Sequence, residues 1–192
     1  MGEVDGRRER RAGNRQAAIE ALVELFGEDR FQPSTVEISE RAGISARSLF
    51  RYFDDQDDLV RAAIDHNLSA ARPLLEIDIA PDTPTAEKVD RIVAARVRLF
   101  DATAPAARAA RVSAHRHEIL AAQIQESRAF LRAQLRRTFA PELRGAPAAR
   151  FPVLDVLCSF ETYELLRRDQ GMSSRRAAKV LTAAIVALVE IP

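Results

Sequence analysis

The spacing of its apolar residues is the feature that most limits what this chain can fold into. Apolar side chains recur every three or four positions along most of the sequence, as they do on one face of an α-helix. The period-two alternation of β-branched and aromatic residues that marks strands is missing. We therefore predict an all-α protein, with a first helix at about 10–26, three helices that end near 42, 52 and 71, and five more at about 85–102, 105–114, 118–139, 147–169 and 173–190.

The composition is that of a globular chain of one or two domains. Of its 192 residues, 47% are hydrophobic and 30% are charged, which excludes a disordered chain. The single cysteine, Cys158, cannot form an internal disulfide, so a reducing compartment is expected. No apolar run is long enough to cross a membrane, and the N-terminus lacks the apolar core of a signal peptide. The sequence therefore indicates a cytoplasmic protein without a membrane partner.

A turn in the first third of the chain has the sequence form of a helix-turn-helix motif. Gly43 ends one short amphipathic segment, and Ser45 is a favoured N-cap residue for the next. The residues spaced to bury one face of these two short helices against the first helix are Ile38, Ala42, Ile44, Leu49 and Phe53.

Basic residues are concentrated near the N-terminus. The formal net charge is only +1, and all 29 basic residues except Lys88 and Lys179 are arginine. Two interpretations of a cluster at residues 7–15 stay open, an arm that contacts phosphates and a solvated tail. The cluster, opposed within its length only by Glu9, consists of Arg7, Arg8, Arg10, Arg11 and Arg15.

The segment around the predicted turn resembles a known family. Residues 33–53 read PSTVEISERAGISARSLFRYF and are continued by Asp57-Asp58-Leu59-Val60. This pattern is similar to the DNA-binding domain of the tetracycline-repressor (TetR) family of transcriptional regulators, with turn, cap and core positions in one register. The resemblance implies a homodimer that binds a double-stranded DNA operator, and a C-terminal helical domain for ligand binding and dimerisation.

A proline-containing stretch at 76–85 interrupts the helical pattern and is the predicted domain boundary. Together with the resemblance, it assigns residues 1–56 to an N-terminal arm and a three-helix, helix-turn-helix DNA-binding domain. Residues 57–75 then form a connecting helix, and residues 76–192 form the helical ligand-binding and dimerisation domain.

The second short helix leaves four outward side chains for DNA, namely Ala46, Arg47, Phe50 and Arg51. Arginine pairs bidentately with guanine, and alanine or phenylalanine contacts a thymine methyl. The alternative is a solvated surface charge for each arginine and a packed core position for Phe50. The other expected DNA contacts, through hydroxyl or amide groups, are Ser34, Thr35, Ser45, Ser48, Tyr52 and Gln56.

Three of these positions depart from the family pattern. Arg47 stands where a small residue is usual, Phe50 where tyrosine is usual, and Gln56 where lysine is usual. The first change should alter base preference. The other two remove a phenol and a charge, so we expect affinity to depend more on the arginine arm.

Two charges fall on predicted buried stripes of the C-terminal helices. Arg96 shares a stripe with Phe100 on the helix from residue 85, and Glu161 lies on the stripe of the helix at 147–169. A charge so placed must be paired, hydrated in a cavity or neutralised. One interpretation is that Arg96, Phe100 and Glu161 line a ligand cavity. There are two alternatives. The two residues could form a structural Arg–Glu pair, or the apolar stripe could be assigned one residue out of register, so that the charge is not on the buried face.

The last two predicted helices are apolar over much of their circumference, which requires cover on both sides. In a chain this short the expected cover is a second subunit, as the resemblance also implies. Ala183 and Ala187 keep the neighbouring faces of the last helix shallow. The predicted dimer interface consists of Val180, Leu181, Ala184, Ile185 and Leu188.

The sequence shows no catalytic machinery. His115 and His117 are two positions apart and would point in different directions on a helix, so neither a metal nor another cofactor is expected. We predict a regulator rather than an enzyme: a repressor released from a pseudo-palindromic operator by an unidentified small molecule. Two alternatives stay open, a helical small-molecule-binding protein without operator binding and a small helical enzyme.

Overall fold

The structure is a computed structural model that describes residues 2–80, 82–115 and 117–190, except for the side chains of residues 2–5 and 7. The side chain of Arg7, one of the predicted arm residues, therefore lies outside the described residues. Over the described ranges the chain is helical and contains no β-strand, which confirms the predicted fold class. The helices are α1 (Gly2–Gly27), α2 (Thr35–Ala42), α3 (Ala46–Leu49), α4 (Gln56–Ala70), α5 (Thr85–Ser113), α6 (Glu118–Thr138), α7 (Arg150–Leu157), α8 (Phe160–Glu164) and α9 (Ser174–Val189), with a 3-10 turn at Arg72–Leu75 and a π-helical turn at Leu165–Asp169.

The chain divides into two compact units. The first comprises the residues up to Ala71 together with Thr103–Ala121, and the second comprises Arg72–Ala102 and the residues from Ala122 onward. The second half of α5 and the start of α6 thus belong to the same unit as the helix-turn-helix segment. The boundaries predicted at residues 56 and 75 stay predictions.

In the first unit, α1 packs against α2 and α4. Burial of apolar surface between these helices is the main stabilising contribution to such a small domain. Ala42 and Ile44, predicted for this core, are only half-buried. The buried side chains include Ala18, Leu22, Leu25 and Phe26 of α1, Ile38 of α2, Leu49 and Phe53 at and after α3, and Leu59, Ala63 and Ile64 of α4.

The turn between α2 and α3 is fixed by its capping residues. Ser34 and Glu37 form a capping box at the start of α2, in which the Ser34 N–H donates to the Glu37 carboxylate at 2.7 Å. Gly43 ends α2 in the left-handed region, with φ of 66°. Ser45 then caps α3, its hydroxyl oxygen accepting from the Ser48 N–H at 3.1 Å. These caps hold α3 at a defined angle to α2.

In the second unit, α7 packs against α9, and an aromatic cluster joins α5 to α8. The rings of Phe100 and Phe160 meet edge to face with centroids 5.6 Å apart, and Tyr163 lies 5.7 Å from Phe100. The buried apolar side chains include Val89, Ile92, Val93 and Phe100 of α5, Leu135 and Phe139 of α6, Leu154 of α7, Phe160 and Tyr163 of α8, and Ala177, Leu181, Ile185 and Val189 of α9.

The helix break predicted at Pro105 is wrong, because α5 continues through this proline to Ser113. A proline inside a helix removes one backbone hydrogen bond and costs about 3 kcal/mol. Beyond it, Ala106, Ala109 and Ala110 are buried in the first unit. Their packing outweighs the local preference of proline for a helix end.

The single helix predicted at 147–169 is also wrong. The chain leaves helical geometry at Ser159, which takes an extended conformation and caps α8 by accepting from the Thr162 N–H at 3.2 Å. A stripe drawn from Leu154 through Cys158 to Glu161 therefore crosses a break. Leu154 and Cys158 are buried, whereas Glu161 is exposed.

The first helix is longer than predicted. It begins at Gly2 instead of about residue 10, so the arginine cluster lies within α1 rather than in a frayed tail. Arg8, Arg10, Arg11 and Arg15 are exposed along it. The arm is a helical extension whose position follows from that of α1.

Candidate functional site

The outward face of α3 is exposed. Ala46, Arg47, Phe50 and Arg51 all face solvent, and the Phe50 side chain is 60% exposed. Phe50, the residue that ends α3, therefore presents its ring to solvent between Arg47 and Arg51 in the sequence. The structure thus places these four residues together.

The hydroxyl residues predicted to contact phosphates also have structural roles. Ser34 Oγ lies 2.9 Å from the Glu37 carboxylate, and Ser45 Oγ lies 3.0 Å from Ser48 Oγ. Both Ser34 and Ser45 are exposed, so their hydroxyl oxygens remain accessible at the helix starts. Their first role is to fix the ends of α2 and α3.

Gln56 is held at the start of α4 by a hydrogen bond from its amide nitrogen to the Pro33 carbonyl at 2.7 Å. One of its two N–H donors is therefore in use. Thr35, Phe50 and Gln56 line the same small surface hollow. Residues predicted separately on three elements thus meet on one side of the motif.

Tyr52 is the centre of a polar cluster that the sequence pattern did not reveal. Asn14 of α1 donates to the Tyr52 hydroxyl at 3.1 Å, and the Arg51 guanidinium donates to the same oxygen at 3.0 Å. These hydrogen bonds, Asn14's first, lower the pKa of the Tyr52 phenol, with Arg11 adding a smaller electrostatic effect. Asn14 lies one turn before Ala18 on the apolar stripe of α1, so extending that stripe backwards would have indicated it.

Two glutamates near the motif, Glu28 and Glu37, form ion pairs with arginines that do not lie on the outward face of α3. Arg41 pairs with Glu28 at 2.8 Å, chiefly through a hydrogen bond that lowers the pKa of the Glu28 carboxyl. Arg30 pairs with Glu37. Among the described residues, Arg47 and Arg51 form no ion pair with a carboxylate. The cations on the outward face of α3 therefore remain available to an external anion.

The three predicted ligand residues have different environments. Arg96 is 2% exposed and donates to Gln134 Oε1 at 2.7 Å and to the Leu131 carbonyl at 3.0 Å. Phe100 is buried in the aromatic cluster. Glu161 lies at the surface, where it pairs with Arg128. The expectation that Glu161 lies on the buried stripe of the helix predicted at 147–169 is wrong, because the helix break at Ser159 places this side chain at the surface.

The predicted dimer residues differ in burial. Leu181 and Ile185 are buried by their own chain, Ala184 and Leu188 are half-buried, and Val180 is exposed. Leu181 and Ile185 are thus core residues, because the more apolar side of α9 packs inward. The exposed apolar side chains on α7 and α9, which we call the α7–α9 face, are Val153, Val156, Val180, Ala183 and Ala187.

The fold and the α3 surface together define a helix-turn-helix protein with a C-terminal helical region. Residues 18–63 match the family model described as bacterial regulatory proteins, tetR family. No curated protein matches the sequence. Within the described ranges, every helix is too short or too polar to cross a membrane.

Solved structures share the fold over most of the chain. One is a transcriptional regulator from Rhodococcus sp. Rha1, 16% identical, with a TM-score of 0.67 over 93% of this chain and 99% of that one. Another is a tetR-family transcriptional regulator from Streptomyces coelicolor, 19% identical, with a TM-score of 0.66 over 91% and 79%. A third is the multidrug binding protein EbrR complexed with imidazole, 16% identical, with a TM-score of 0.60 over 93% and 90%.

Residues 18–63, the segment that contains α2 and α3, are thus similar to the tetR family of bacterial regulatory proteins, as the motif around Gly43 had indicated. The matched segment contains the helix-turn-helix of α2 and α3, and the solved structures share the fold of the chain around it.

Proposed function

We propose that the chain is a dimeric repressor that binds a pseudo-palindromic DNA operator through α3 and leaves it when a small molecule binds to the C-terminal helices. The observation that carries this proposal is the outward face of α3, where Arg47, Phe50 and Arg51 are exposed together. In helix-turn-helix proteins the second helix of the motif enters the major groove with such residues at the base edges.

Each outward residue has a specific role in this proposal. Arg47 and Arg51 present guanidinium groups without carboxylate partners among the described residues, which suits bidentate pairing with guanine. Phe50 and Ala46 contact thymine methyl groups. Ser34, Thr35, Ser45, Ser48 and Gln56 lie around this face and contact phosphates, which fix the register of the motif on the duplex.

The Tyr52 cluster contacts a phosphate in the same proposal. Arg51 donates to the Tyr52 hydroxyl from one side and Asn14 from the other, so this oxygen has two donors and its own proton is free to be donated. An exposed Arg11 lies near enough to influence the phenol. A phosphate oxygen at this point would accept from Tyr52 and face two cations.

The α7–α9 face supports a dimer. Val153, Val156 and Val180 are between 40% and 61% exposed, and the small exposed side chains of Ala183 and Ala187 on α9 permit close approach of another helix. Covering this face with the same face of a second chain gives a two-fold interface. Two recognition helices related by a two-fold axis then require an operator of matching symmetry.

Release by a ligand follows from a population shift. A small molecule that binds better to a conformation with misplaced α3 helices lowers operator affinity by its difference in binding free energy between the two conformations. EbrR, a protein of the same fold, is a multidrug binding protein complexed with imidazole, which supports a small-molecule site in this fold.

A reporter assay tests the repressor role. The promoter next to the chain's own reading frame is fused to a reporter, and expression is compared with and without the protein and with the double variant Arg47→Ala, Arg51→Ala. A repressor lowers expression, and the variant does not. Expression that rises when the protein is present would identify an activator, and expression that is the same in all three strains would contradict regulation at this promoter.

A further inference from the structure

We propose that Arg96 binds the anionic group of the small-molecule ligand, which is accordingly an apolar molecule that carries a carboxylate or a similar acidic group. This inference rests on the ligand-binding role given above. It concerns the second unit alone, and it goes further by assigning the chemical class of the ligand and the residue that recognises it.

The Arg96 side chain is held in place by neutral acceptors only. Its two terminal nitrogens donate to Gln134 Oε1 at 2.7 Å and to the Leu131 carbonyl at 3.0 Å. Gln134 is itself oriented, since its amide nitrogen donates to the Leu75 carbonyl at 2.9 Å. The Nε–H of Arg96 is buried and has no hydrogen-bond partner among the described residues. The guanidinium is thus fixed in orientation but incompletely bonded.

No described carboxylate forms an ion pair with Arg96. Asp155, which acts on Arg96 electrostatically, forms its ion pair with Arg132 at 3.2 Å. Cys158 is buried beside Arg96, but burial raises the pKa of its thiol to about 12, so it is not an anion at neutral pH. Burial lowers the pKa of the Arg96 guanidinium, but the ordinary value is so high that the group stays protonated at neutral pH.

The same unit contains a buried cation, Lys88, that does have a carboxylate counterion. Lys88, also 2% exposed, donates to the Glu142 carboxylate at 2.9 Å, and Thr85 donates to the same oxygen at 3.0 Å. A buried charge without such a counterion is unfavourable, and an anion that supplies one gains strongly charge-assisted hydrogen bonds. The contrast between Lys88 and Arg96 is what points to an external anion at Arg96.

The surroundings of Arg96 define the rest of the ligand. One turn further along α5, Phe100 packs edge to face on Phe160 and contacts Tyr163. One turn back, Ile92 is buried on the same stripe. A ligand whose acidic group reaches the Nε–H and the terminal nitrogens of Arg96 therefore has its body among aromatic and aliphatic side chains.

Two fluorescent probes separate the charge from the apolar body. 1-Anilinonaphthalene-8-sulfonate carries an anionic group on an arylaminonaphthalene, and N-phenyl-1-naphthylamine is the same body without it. Dissociation constants for both are measured on the wild-type dimer, on Arg96→Met, on Arg96→Lys, and on Arg128→Met as a control that removes a surface arginine of α6. Melting temperatures establish that each variant is folded.

We expect Arg96→Met to weaken binding of the sulfonate probe by about tenfold or more and that of the neutral probe by less than about twofold, since a charge-assisted hydrogen bond contributes at least this factor. For the sulfonate probe, the affinity of Arg96→Lys, which keeps the charge, should lie between those of the wild type and Arg96→Met. Arg128→Met should bind both probes with wild-type affinity. Arg96→Met should melt no lower than the wild type, because it removes an uncompensated buried charge.

Three results would overturn the inference: no sulfonate binding to the wild type, equal weakening of both probes, or no weakening of either. If Arg96→Met is unfolded, Arg96→Lys tests the inference instead. Because lysine keeps the positive charge, this variant should still bind the sulfonate probe more tightly than the neutral probe. DNA binding of the same samples is measured separately. Probe binding that depends on Arg96 in a protein without operator affinity would sustain this inference and overturn the repressor, whereas operator binding with probe affinities independent of Arg96 would do the reverse.

Discussion

Asn14 of α1 and Tyr52, which follows α3, are joined by a hydrogen bond of 3.1 Å across 38 positions of sequence. This contact joins the N-terminal half of α1 to the residues that directly follow α3. Because α1 is continuous from Gly2, the exposed arginines one turn before Asn14 are carried on the same rigid element. The position of the helical arm is therefore fixed relative to the helix-turn-helix motif.

Deletion of residues 1–11 tests the arm. It removes the exposed Arg8, Arg10 and Arg11 but leaves Asn14, so α3 should keep its place. We expect weaker binding to specific and nonspecific DNA alike, and a slope of log K against log salt that is less steep by about 0.9 for each phosphate that the shortened chain no longer neutralises. DNA titrations at several salt concentrations measure this slope for the full-length and the shortened chain. An unchanged slope would show that the arm is solvated when DNA is bound.

Arg47→Ala and Arg51→Ala test base recognition. If each arginine reads a base, each substitution should cost about 1–3 kcal/mol of binding free energy and relax the preference at one operator position. Arg61→Ala, which removes a partly exposed arginine of α4 paired with Asp58, is the matched control. Binding to operators with single base changes provides the measurement. If both variants keep the affinity and the base preference of the wild type, neither arginine recognises a base.

Substitutions on α9 separate the dimer interface from the core. Val180→Glu places a charge on the exposed α7–α9 face and should yield a folded monomer, because a desolvated carboxylate opposes association. Ile185→Glu places the charge in the buried core of the same helix and should unfold the second unit. Light scattering and circular dichroism distinguish the two. A stable dimer of the Val180 variant would place the interface elsewhere.

The buried pair of Lys88 and Glu142 predicts a pH dependence. Burial raises the pKa of the Glu142 carboxyl, but hydrogen bonds led by that from Lys88 outweigh it and leave the pKa below its usual 4.5. A carboxyl with a depressed pKa in the folded state stabilises the fold above pH 4.5, and this contribution disappears as the pH falls through the lower, folded-state pKa. Urea unfolding from pH 7 downward should show the decrease in this acidic window.

Lys88→Met should lower the free energy of unfolding at neutral pH by about 3–5 kcal/mol, since it leaves the Glu142 carboxylate buried without its cation. The control is Arg91→Met, whose exposed pair with Glu87 on the same helix should contribute less than about 1 kcal/mol. Equal effects of the two substitutions would contradict a stabilising role for the buried pair.

Cys158 should be unreactive in the folded protein. It is buried, and burial raises the pKa of its thiol to about 12, so at pH 8 only about one thiol in ten thousand is ionised. Iodoacetamide should therefore modify the protein in urea but not under native conditions, as mass spectrometry can follow. Rapid labelling of the native protein would show that the thiol is accessible.

The helix-turn-helix motif could be predicted from the sequence because its turn is fixed by contacts between residues that are close together in the sequence. Gly43 ends α2 and Ser45 caps α3 through contacts with residues within a few positions, so their types alone indicate the turn. The outward positions of α3 followed from helical spacing in the same way. The burial of Arg96 also followed, from its place among Val89, Ile92, Val93 and Phe100.

The errors came from tertiary packing that composition does not reveal. Pro105 would end an isolated helix, yet buried alanines beyond it hold α5 together. Ser159 begins a new helix within an apolar run, which moves Glu161 to the surface and into a pair with Arg128. Which side of α9 faces inward depends on α7, so Leu181 and Ile185 could not be separated from Val180 by periodicity alone.

Binding of the purified wild-type protein to DNA from the region upstream of its own reading frame tests the central claim most directly. Fluorescence anisotropy at a fixed salt concentration is measured with that DNA and with a shuffled duplex of equal length and composition. We predict a complex of one dimer per site with at least about 1,000-fold preference for the operator, and disappearance of that preference in the Arg47→Ala, Arg51→Ala double variant. Equal affinity of the wild type for both duplexes across the upstream region would contradict it.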